Sequence, residues 1–261
     1  MISLLPRLGA LAALSLVAAC ASAPRETPPP ETVPGYEEVV DNDFVIPAVE
    51  PRLLTADRRK ERVSYNGPDE PGTIVVDTHA RKLYHVMDDG TAMRYAIAVG
   101  REGRSFQGSG YIGTKREWPS WTPTKNMIRT QPEMYAEYAK GLPGGLDNPL
   151  GARALYLYRG GRDTMFRIHG TIDPASIGHA TSAGCIRLFN QDAIDLYDQV
   201  EPGAKVKVRS LSESEELEGP YMDDAWGRAV PATPENIDQK VKDEAEMAKS
   251  QPAEDLLPAN S

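Results

Sequence analysis

Short runs of alternating apolar and polar residues recur between residues 62 and 210 and predict β-strands. The helical period is rarer and is found at 132–140 and at 191–200, where Asn190 is a predicted N-cap. Many short strands with few helices predict a mostly antiparallel β domain over 62–210, long enough for one hydrophobic core. The strand-like runs cover residues 73–77, 82–87, 94–99, 110–115, 154–158, 165–169 and 205–209.

Residues 1–19 have the pattern of a secretory signal peptide, with Arg7 followed by a short apolar run that ends in Val-Ala-Ala before Cys20. The run is shorter than the roughly 20 apolar residues of a membrane-spanning helix. Cleavage near Ala23 would give a soluble exported protein. However, Val-Ala-Ala-Cys resembles the bacterial lipobox, which predicts lipidation of Cys20 and membrane attachment through that lipid. A lipidated Cys20 would leave Cys185 without a disulfide partner.

Proline and acidic residues dominate the two flanks of the predicted β domain. Residues 20–61 are rich in proline, which predicts a stiff, extended tether, although disordered filler would have the same composition. The net charge is −9, and residues 211–261 carry 13 acidic and 4 basic residues, which predicts an acidic tail. Within it, 234–249 is a possible helix with a narrow apolar stripe, loosely docked or solvated. Both termini are therefore expected to be flexible, and no basic cluster indicates binding to nucleic acid.

The residues with chemical potential are concentrated at 166–188, FRIHGTIDPASIGHATSAGCIRL. Cys185 is the only cysteine of the predicted β domain, and His169 ends a strand-like run sixteen residues earlier. A neighbouring imidazole can take the proton of a thiol and make it a strong nucleophile. Gly184 would let the backbone turn and point N–H groups toward a developing oxyanion. An inert buried cysteine and a structural histidine are the alternatives, and spacing alone does not decide between them.

The other three histidines are weaker candidates. His79 and His85 lie in or beside the first predicted hairpin, and His179 lies between the two candidate residues, where it could help to form a pocket. A zinc site needs three or four convergent ligands at a recognisable spacing, and the chain has neither C-x-x-C nor H-E-x-x-H. We therefore expect no metal and no cofactor.

Three groups of residues resemble the catalytic signature of the L,D-transpeptidase (YkuD-type) family. They are Ile-His-Gly-Thr at 168–171, Ser-Ile-Gly at 176–178 and Ser-Ala-Gly-Cys-Ile-Arg-Leu at 182–188. Segments at 72–77, 117–123 and 148–153 also resemble family members, so the likeness covers nearly all of 62–210. The resemblance implies a β-sandwich-type catalytic domain with a few short helices. One residue departs from the pattern, because Ala183 stands where many members have a histidine.

The resemblance also implies ping-pong acyl transfer on peptidoglycan by a cysteine-dependent L,D-transpeptidase. Cys185 would attack a tetrapeptide stem, release D-alanine and form a thioester, with His169 as its proton partner. The carbonyl of Gly170 would orient His169, and the N–H groups of Gly184 and Cys185 are candidates for the oxyanion hole. The acyl acceptor would be an amine of another stem, which makes a 3-3 cross-link, or of an envelope protein, which becomes attached to peptidoglycan.

Four further residues are expected to serve the substrate. Arg187 would bind a substrate carboxylate, with Ser182 beside it, although a salt bridge that braces the loop is an equal alternative for Arg187. Trp118 and Trp121 would form the wall of the acyl-donor groove. Packing under a proline-rich loop is the alternative for both tryptophans.

Two other functions are compatible with the same residues. Water could resolve the thioester, which would make the protein an L,D-carboxypeptidase or an amidase, and the difference depends on how well water is excluded. The other possibility is a non-catalytic wall-binding lipoprotein, but intact Cys185, His169 and Gly184 count against it. An export signal with a lipid on Cys20 predicts a periplasmic protein held at the cell envelope, and Ala21 is compatible with the outer membrane.

Overall fold

The described part of the protein is mostly β, which confirms the predicted fold class. The computed structural model describes residues 32–100, 108–181 and 185–250. The predicted signal peptide, Cys20, Ser182 and Gly184 lie outside these ranges. A mixed sheet with a few short helices makes up the described residues.

One large sheet dominates the described residues, which contain fifteen strands in all. They are β1 (Val39–Asp41), β2 (Phe44–Ile46), β3 (Glu61–Ser64), β4 (Ile74–Asp77), β5 (Lys82–Val86), β6 (Thr91–Ala96), β7 (Ala98–Gly100), β8 (Gly108–Glu117), β9 (Arg153–Arg159), β10 (Arg162–His169), β11 (Ala180–Thr181), β12 (Ile186–Arg187), β13 (Lys205–Val208), β14 (Tyr221–Asp223) and β15 (Ala229–Pro231). Eleven form the sheet, in the order β11-β7-β12-β10-β9-β8-β13-β4-β5-β6-β3. The pairs β10–β12, β11–β7 and β13–β4 are parallel and the other pairs of this sheet are antiparallel, as predicted for most of the domain.

All seven strand-like runs of the sequence fall on strands of this sheet, and one of them spans two. The run at 94–99 covers the end of β6 and most of β7, with Ile97 between them. The N–H of Ile97 donates to the carbonyl of Arg81, and its own carbonyl accepts from Gly178. The chain therefore passes at Ile97 from the β5 side of the sheet to the strands that surround the candidate site.

The main hydrophobic core lies on one face of the sheet, under the third helix. Successive side chains of a strand point to opposite faces, so every second residue of the central strands is buried there. Each large aliphatic side chain that is fully buried contributes about 1.5–3 kcal/mol. The cluster consists of Ile74, Val76, Leu83, Tyr95, Ile97, Val99, Ile112, Leu155, Leu157, Ile168, Ile186, Leu188, Ala193, Leu196, Val200, Val206 and Val208.

Five α-helices lie in the described residues: α1 (Lys125–Thr130), α2 (Pro132–Tyr135), α3 (Asn190–Gln199), α4 (Leu211–Glu218) and α5 (Pro234–Ser250). The helix predicted at 132–140 is shorter, because α2 passes into a 3-10 turn at 136–138. The N-cap of α3 is Phe189, so the prediction of Asn190 as N-cap is wrong. The Asn190 side chain instead binds backbone groups outside the helix. Among the residues that the structure describes, no helix is both long and apolar enough to cross a bilayer.

Residues 32–61 differ from the predicted tether because several of their apolar side chains are buried. The Tyr36 side chain is 1% exposed, and its ring meets that of Phe189 edge-on at 5.7 Å. Asp41, at the end of β1, forms a two-point ion pair with Arg153 at 2.6 and 2.9 Å. The proline content predicted an extended segment. The apolar residues between the prolines instead pack against residues of the β domain. The second buried cluster consists of Val33, Tyr36, Val49, Leu53, Leu54, Ala96, Ala98, Ile177 and Phe189.

The first part of the predicted acidic tail is also folded against the sheet. Glu218, the last residue of α4, pairs with Arg209 and with Lys82, each at 2.8 Å. Ser214 is buried and donates to Asp77 at 2.9 Å. An acidic side chain of α4 therefore pairs with buried cations and is not simply solvated. Farther along, α5 covers the possible helix at 234–249 and buries none of its residues.

We expect Tyr36→Ala to lower the free energy of unfolding by about 3–5 kcal/mol, because it empties a buried aromatic site. Val40→Ala is the matched control in the same segment, since Val40 is 72% exposed, and it should change stability by less than about 0.5 kcal/mol. Urea denaturation of both full-length variants measures the difference. Equal and small effects would mean that residues 32–61 do not belong to the folded unit.

Candidate active site

Parallel pairing of β10 with β12 places Cys185 and His169 on the same face of the sheet. Ile168 is the register partner of Ile186, and His169 is the partner of Arg187. Ile168 and Ile186 both point into the main core. Because side chains alternate along a strand, His169 and Arg187 point to the opposite face, and Cys185 precedes β12 on the side of Arg187. The pairing of these two strands therefore brings together two residues that lie sixteen positions apart in the sequence.

His169 is held in a single tautomer by its neighbour in the chain. Its Nδ1 lies 2.6 Å from the carbonyl oxygen of Gly170. A carbonyl only accepts, so Nδ1 carries the proton and the lone pair of the neutral ring is on Nε2. The side chain is 4% exposed. Burial, with the charge of Arg187 as a smaller cause, lowers the pKa of His169 to about 3, so the ring is neutral at physiological pH.

Cys185 is a free, half-buried thiol. Burial raises the pKa of this thiol above its ordinary value. A hydrogen bond from the backbone of Arg167 and the charges of Arg167 and Arg187 act in the opposite direction, but they are smaller than the effect of burial. The resting site therefore contains a neutral thiol and a neutral imidazole. In such a pair the thiolate forms as the base removes the proton during attack.

The Gly170 carbonyl is oriented by an asparagine that sequence reasoning assigned to a different role. Asn190 Oδ1 accepts from the N–H groups of Ala152 and Thr171 at 3.0 and 3.2 Å, and its Nδ2 donates to the Thr171 carbonyl at 3.0 Å. A Cβ at Gly170 would lie 2.1 Å from Asn190 Oδ1, so only glycine fits there. One at Gly151 would lie 2.2 Å from the same oxygen. Asn190 and these two glycines together form a tight support under the histidine.

The two arginines that flank the thiol differ in their partners. Arg167 makes a two-point contact with Asp163 at 2.7 and 2.8 Å and stacks on Tyr156, with its guanidinium carbon 4.0 Å from the ring centre. Arg187 is half-buried and makes no ion pair or side-chain hydrogen bond with any residue that the structure describes. Within those residues there is no salt bridge of the kind that was the alternative for Arg187.

Trp118 and Trp121 lie in the excursion of the chain between β8 and β9, and their described partners are structural. Trp118 Nε1 donates to Asp41 at 2.8 Å, and its ring centre is 4.1 Å from that of Phe44. Trp121 packs between Tyr135 and Tyr138, with both ring centres 6.1 Å away. These contacts favour the packing interpretation for Trp118. The structure brings Cys185, His169, Gly170 and Arg187 together, whereas the tryptophans belong to this neighbouring excursion.

Asn148 organises the same excursion. Its side chain is buried, and Nδ2 donates to the carbonyls of Pro119 and Pro143 at 3.0 and 2.8 Å, while Oδ1 accepts from Leu150. The backbone carbonyl of Leu150 in turn accepts from the His169 ring, which opposes the lowering of its pKa. The sequence contained a signal for this role, since Asn148 stands at the start of the segment 148–153 that resembles the family.

The other histidines do not join the pair. His85 is buried under the opposite part of the sheet. The His179 ring lies between Arg58 and the carbonyl of Trp226, 3.2 Å from each. Among the described residues, no group of three or more His, Cys, Asp or Glu side chains is placed to hold a metal ion.

A family model described as the L,D-transpeptidase catalytic domain, YkuD, matches residues 71–208, which is more than half of the chain. The chain belongs to this family. The resemblance inferred from the motifs is thereby confirmed, and the matched residues include both Cys185 and His169.

Curated relatives carry the same family name. The probable L,D-transpeptidase ErfK/SrfK of Escherichia coli (strain K12) is 34% identical over 139 residues, which are 52% of this chain and 43% of that protein. The putative L,D-transpeptidase YkuD of Bacillus subtilis (strain 168) is 42% identical over 138 residues, which are 53% of this chain and 66% of that protein. The chain thus matches less than half of the length of the Escherichia coli relative.

One solved structure is similar in sequence but is named differently. A Brucella melitensis protein described as a probable carnitine operon oxidoreductase is 49% identical, with 57% of this chain and 91% of that chain covered. The TM-score of 0.43 is too low for this likeness to indicate a shared fold or function.

We expect the stability of the protein to depend on pH through His169. The unfolded histidine has a pKa of about 6.5 and the folded one a pKa of about 3, so the unfolded chain binds the additional proton between these values. The contribution is complete above about pH 6.5 and is lost as the pH falls toward 3. Relative to His169→Gln, the free energy of unfolding should fall by about 1.4 kcal/mol per pH unit below about pH 6.5.

Urea denaturation of both proteins between about pH 7.5 and about pH 4.5 measures this difference. Parallel pH dependence in wild type and variant would show that His169 is not held neutral by the fold.

Proposed function

We propose that the protein is a peptidoglycan L,D-transpeptidase in which Cys185 Sγ is the nucleophile and His169 Nε2 is the base. The observation that carries this proposal is the hydrogen bond from His169 Nδ1 to the Gly170 carbonyl. It leaves the Nε2 lone pair for a proton, on the face of the sheet to which Cys185 also belongs. Membership of the L,D-transpeptidase family supports the same reaction.

In the first half-reaction, Sγ attacks the carbonyl carbon of the third residue of a tetrapeptide stem. The thiol proton moves to His169 Nε2 as the C–S bond forms, because neither group is charged at rest. His169 then passes that proton to the nitrogen of the terminal D-alanine, the C–N bond breaks and D-alanine leaves. The product is a thioester between Cys185 and the shortened stem.

In the second half-reaction, an amine attacks the thioester carbonyl. His169 takes a proton from the amine and returns it to the sulfur as the C–S bond breaks, so the free thiol is restored. An amine of a second stem gives a 3-3 cross-link, and an amine of an envelope protein gives attachment of that protein to peptidoglycan. Water in the same position gives hydrolysis.

Three other groups have proposed roles in this cycle. Backbone N–H groups of Gly184 and Cys185 would stabilise the oxyanion, and Ser182 would contact the stem; Gly184 and Ser182 lie outside the described residues. Arg187 would bind a carboxylate of the stem. This role is supported by its half-buried position beside the site and by the lack of an ionic partner among the described residues.

We also propose that the protein works in the periplasm, held at the cell envelope by a lipid on Cys20, with the outer membrane as the preferred side. The support is the sequence of residues 1–21, which lies outside the described residues. Peptidoglycan stems are found in that compartment, so the proposed location and the proposed substrate agree.

A carbapenem should acylate the wild-type protein at Cys185, because its strained carbonyl meets the same nucleophile as the stem does. We expect one added mass on the peptide that contains Cys185 and none on Cys185→Ala. His169→Gln should react more slowly by about 10²–10⁴-fold, since the base is lost. Intact-mass and peptide mass spectrometry measure both effects, and peptide mapping separates Cys185 from Cys20. An unmodified wild type that is folded would refute the nucleophile assignment.

Incubation with purified tetrapeptide muropeptides should release D-alanine and give cross-linked dimers or adducts on an added protein acceptor. Mass spectrometry of the products identifies the acceptor. Free tripeptide as the sole product would instead assign the protein as a hydrolase. Unchanged tetrapeptide, with Cys185 reactive to carbapenem, would contradict the proposed substrate.

A further inference from the structure

The segment that leads to Cys185 is hydrogen-bonded on two sides. On one side the N–H of Gly178 donates to Ile97 at 3.1 Å, and β11 runs parallel to β7. On the other side, the hairpin β14–β15 with its turn binds the same segment. Ala229 donates to the Gly178 carbonyl at 3.2 Å, and Ala180 donates to the Gly227 carbonyl at 3.4 Å. These contacts end at Thr181, four residues before the nucleophile.

His179 lies at the centre of this arrangement and uses both ring nitrogens. Its Nε2 lies 3.2 Å from Arg58 Nη2, and its Nδ1 lies 3.2 Å from the Trp226 carbonyl. A guanidinium only donates and a carbonyl only accepts, so Nε2 is the acceptor and Nδ1 carries the proton. One neutral imidazole thus links a residue before the matched domain to a residue after it.

Both partners of His179 lie outside the part of the chain that the family model covers. The model begins at residue 71 and ends at 208, so it contains His179 but neither Arg58 nor Trp226. The turn that presents the Trp226 carbonyl is ordered by Asp224, which accepts from the Trp226 N–H at 2.9 Å and from Arg228 Nε at 2.6 Å. The flanks of this particular chain therefore reach the segment before the nucleophile through one side chain.

We propose that His179 is a positioning residue that sets the placement of Cys185 for acyl transfer by joining Arg58 to the C-terminal hairpin. The inference rests on the proposed function of Cys185. It assigns to residues 58 and 221–231 a part in the reaction, although neither contacts the reacting atoms in the described structure.

Loss of the His179 ring would leave the sheet pairing of β11 with β7 and the backbone hydrogen bonds to the hairpin in place, and would remove only the side-chain link between Arg58 and the Trp226 carbonyl. A shift of the nucleophile by about 1 Å can lower a rate by roughly 10²-fold without unfolding a protein. Glutamine is a suitable conservative replacement, since its amide offers one acceptor for Arg58 and one donor for the Trp226 carbonyl. Alanine offers neither.

The charges around His179 also predict a pH effect. Burial and the cation of Arg58 lower the pKa of His179, with Arg228 acting in the same direction, whereas Asp224 and the Trp226 carbonyl oppose them. The main-chain contacts from β7 and the residue before it come from apolar residues, Val99 and Ile97. A proton on Nε2 would face the Arg58 donor and break this link. Activity that depends on the link is therefore lost as the pH falls through a value below the ordinary 6.5 of histidine.

The test compares three full-length variants: His179→Ala, His179→Gln and, as the matched control, His79→Ala. The ring of His79 makes no hydrogen bond with the residues that the structure describes. For transpeptidation of tetrapeptide muropeptides, His179→Ala should lower kcat by about 10- to 100-fold with KM changed less than about twofold. His179→Gln should keep most of kcat, and the acidic limb of its pH profile should lie at lower pH than in wild type, in the range where only His169 titrates. The control should equal wild type.

A second readout is independent of the substrate. The rate of alkylation of Cys185 by iodoacetamide should fall in His179→Ala and recover in His179→Gln. Wild-type kcat and alkylation rate in His179→Ala would overturn the proposal, and so would equal losses in both variants together with a lowered melting temperature, which indicate general support of the fold. If wild type gives no product from muropeptides, the proposed function fails, and the alkylation rates alone decide the role of His179.

Discussion

The hydrogen bond from His169 Nδ1 to the Gly170 carbonyl is the contact on which the proposed chemistry of this protein depends. It determines which ring nitrogen can accept a proton, and it needs a carbonyl that points back at the preceding side chain. That direction is possible because Gly170 has no Cβ, since Asn190 occupies the space where one would lie. The parallel register with β12 then sets the thiol on the same face. The arrangement of His169 and Cys185 requires the hydrogen bond, the glycine and the strand register together.

Burial has opposite effects on the pKa values of the two reacting groups, and in both cases it favours the neutral form. A cysteine that rests as a thiol reacts slowly with oxidants and with stray electrophiles, because the thiolate is the reactive form. In the proposed reaction the thiolate then forms only during attack on a bound carbonyl. This differs from a resting ion pair, in which a neighbouring imidazolium holds the thiolate permanently. Arg187 adds a positive charge beside both groups without reversing either shift.

Most of the central sheet could be predicted from the sequence, because a period of two is visible in strands with one face more buried than the other, such as β9. The support of the site could not. Asn190 has the local pattern of an N-cap, yet its amide binds two loops that are distant in sequence. Likewise, the prolines before residue 61 suggested a tether, whereas Tyr36 buries its ring against Phe189. Partners that are distant in sequence cannot be inferred from local composition. The motif therefore pointed to Cys185 and His169 but not to the residues that hold them in place.

The two edge strands of the large sheet, β11 and β3, are each protected from pairing with another chain. A strand with unpaired backbone groups can pair with another chain and start aggregation. At one end, the hairpin turn binds β11 through Ala180 and covers part of its outer edge. At the other end, β3 exposes Glu61 and Arg62, whose charges disfavour addition of a further strand. The same hairpin that contacts the segment before Cys185 therefore also covers an open edge of the sheet, which disfavours intermolecular β-pairing.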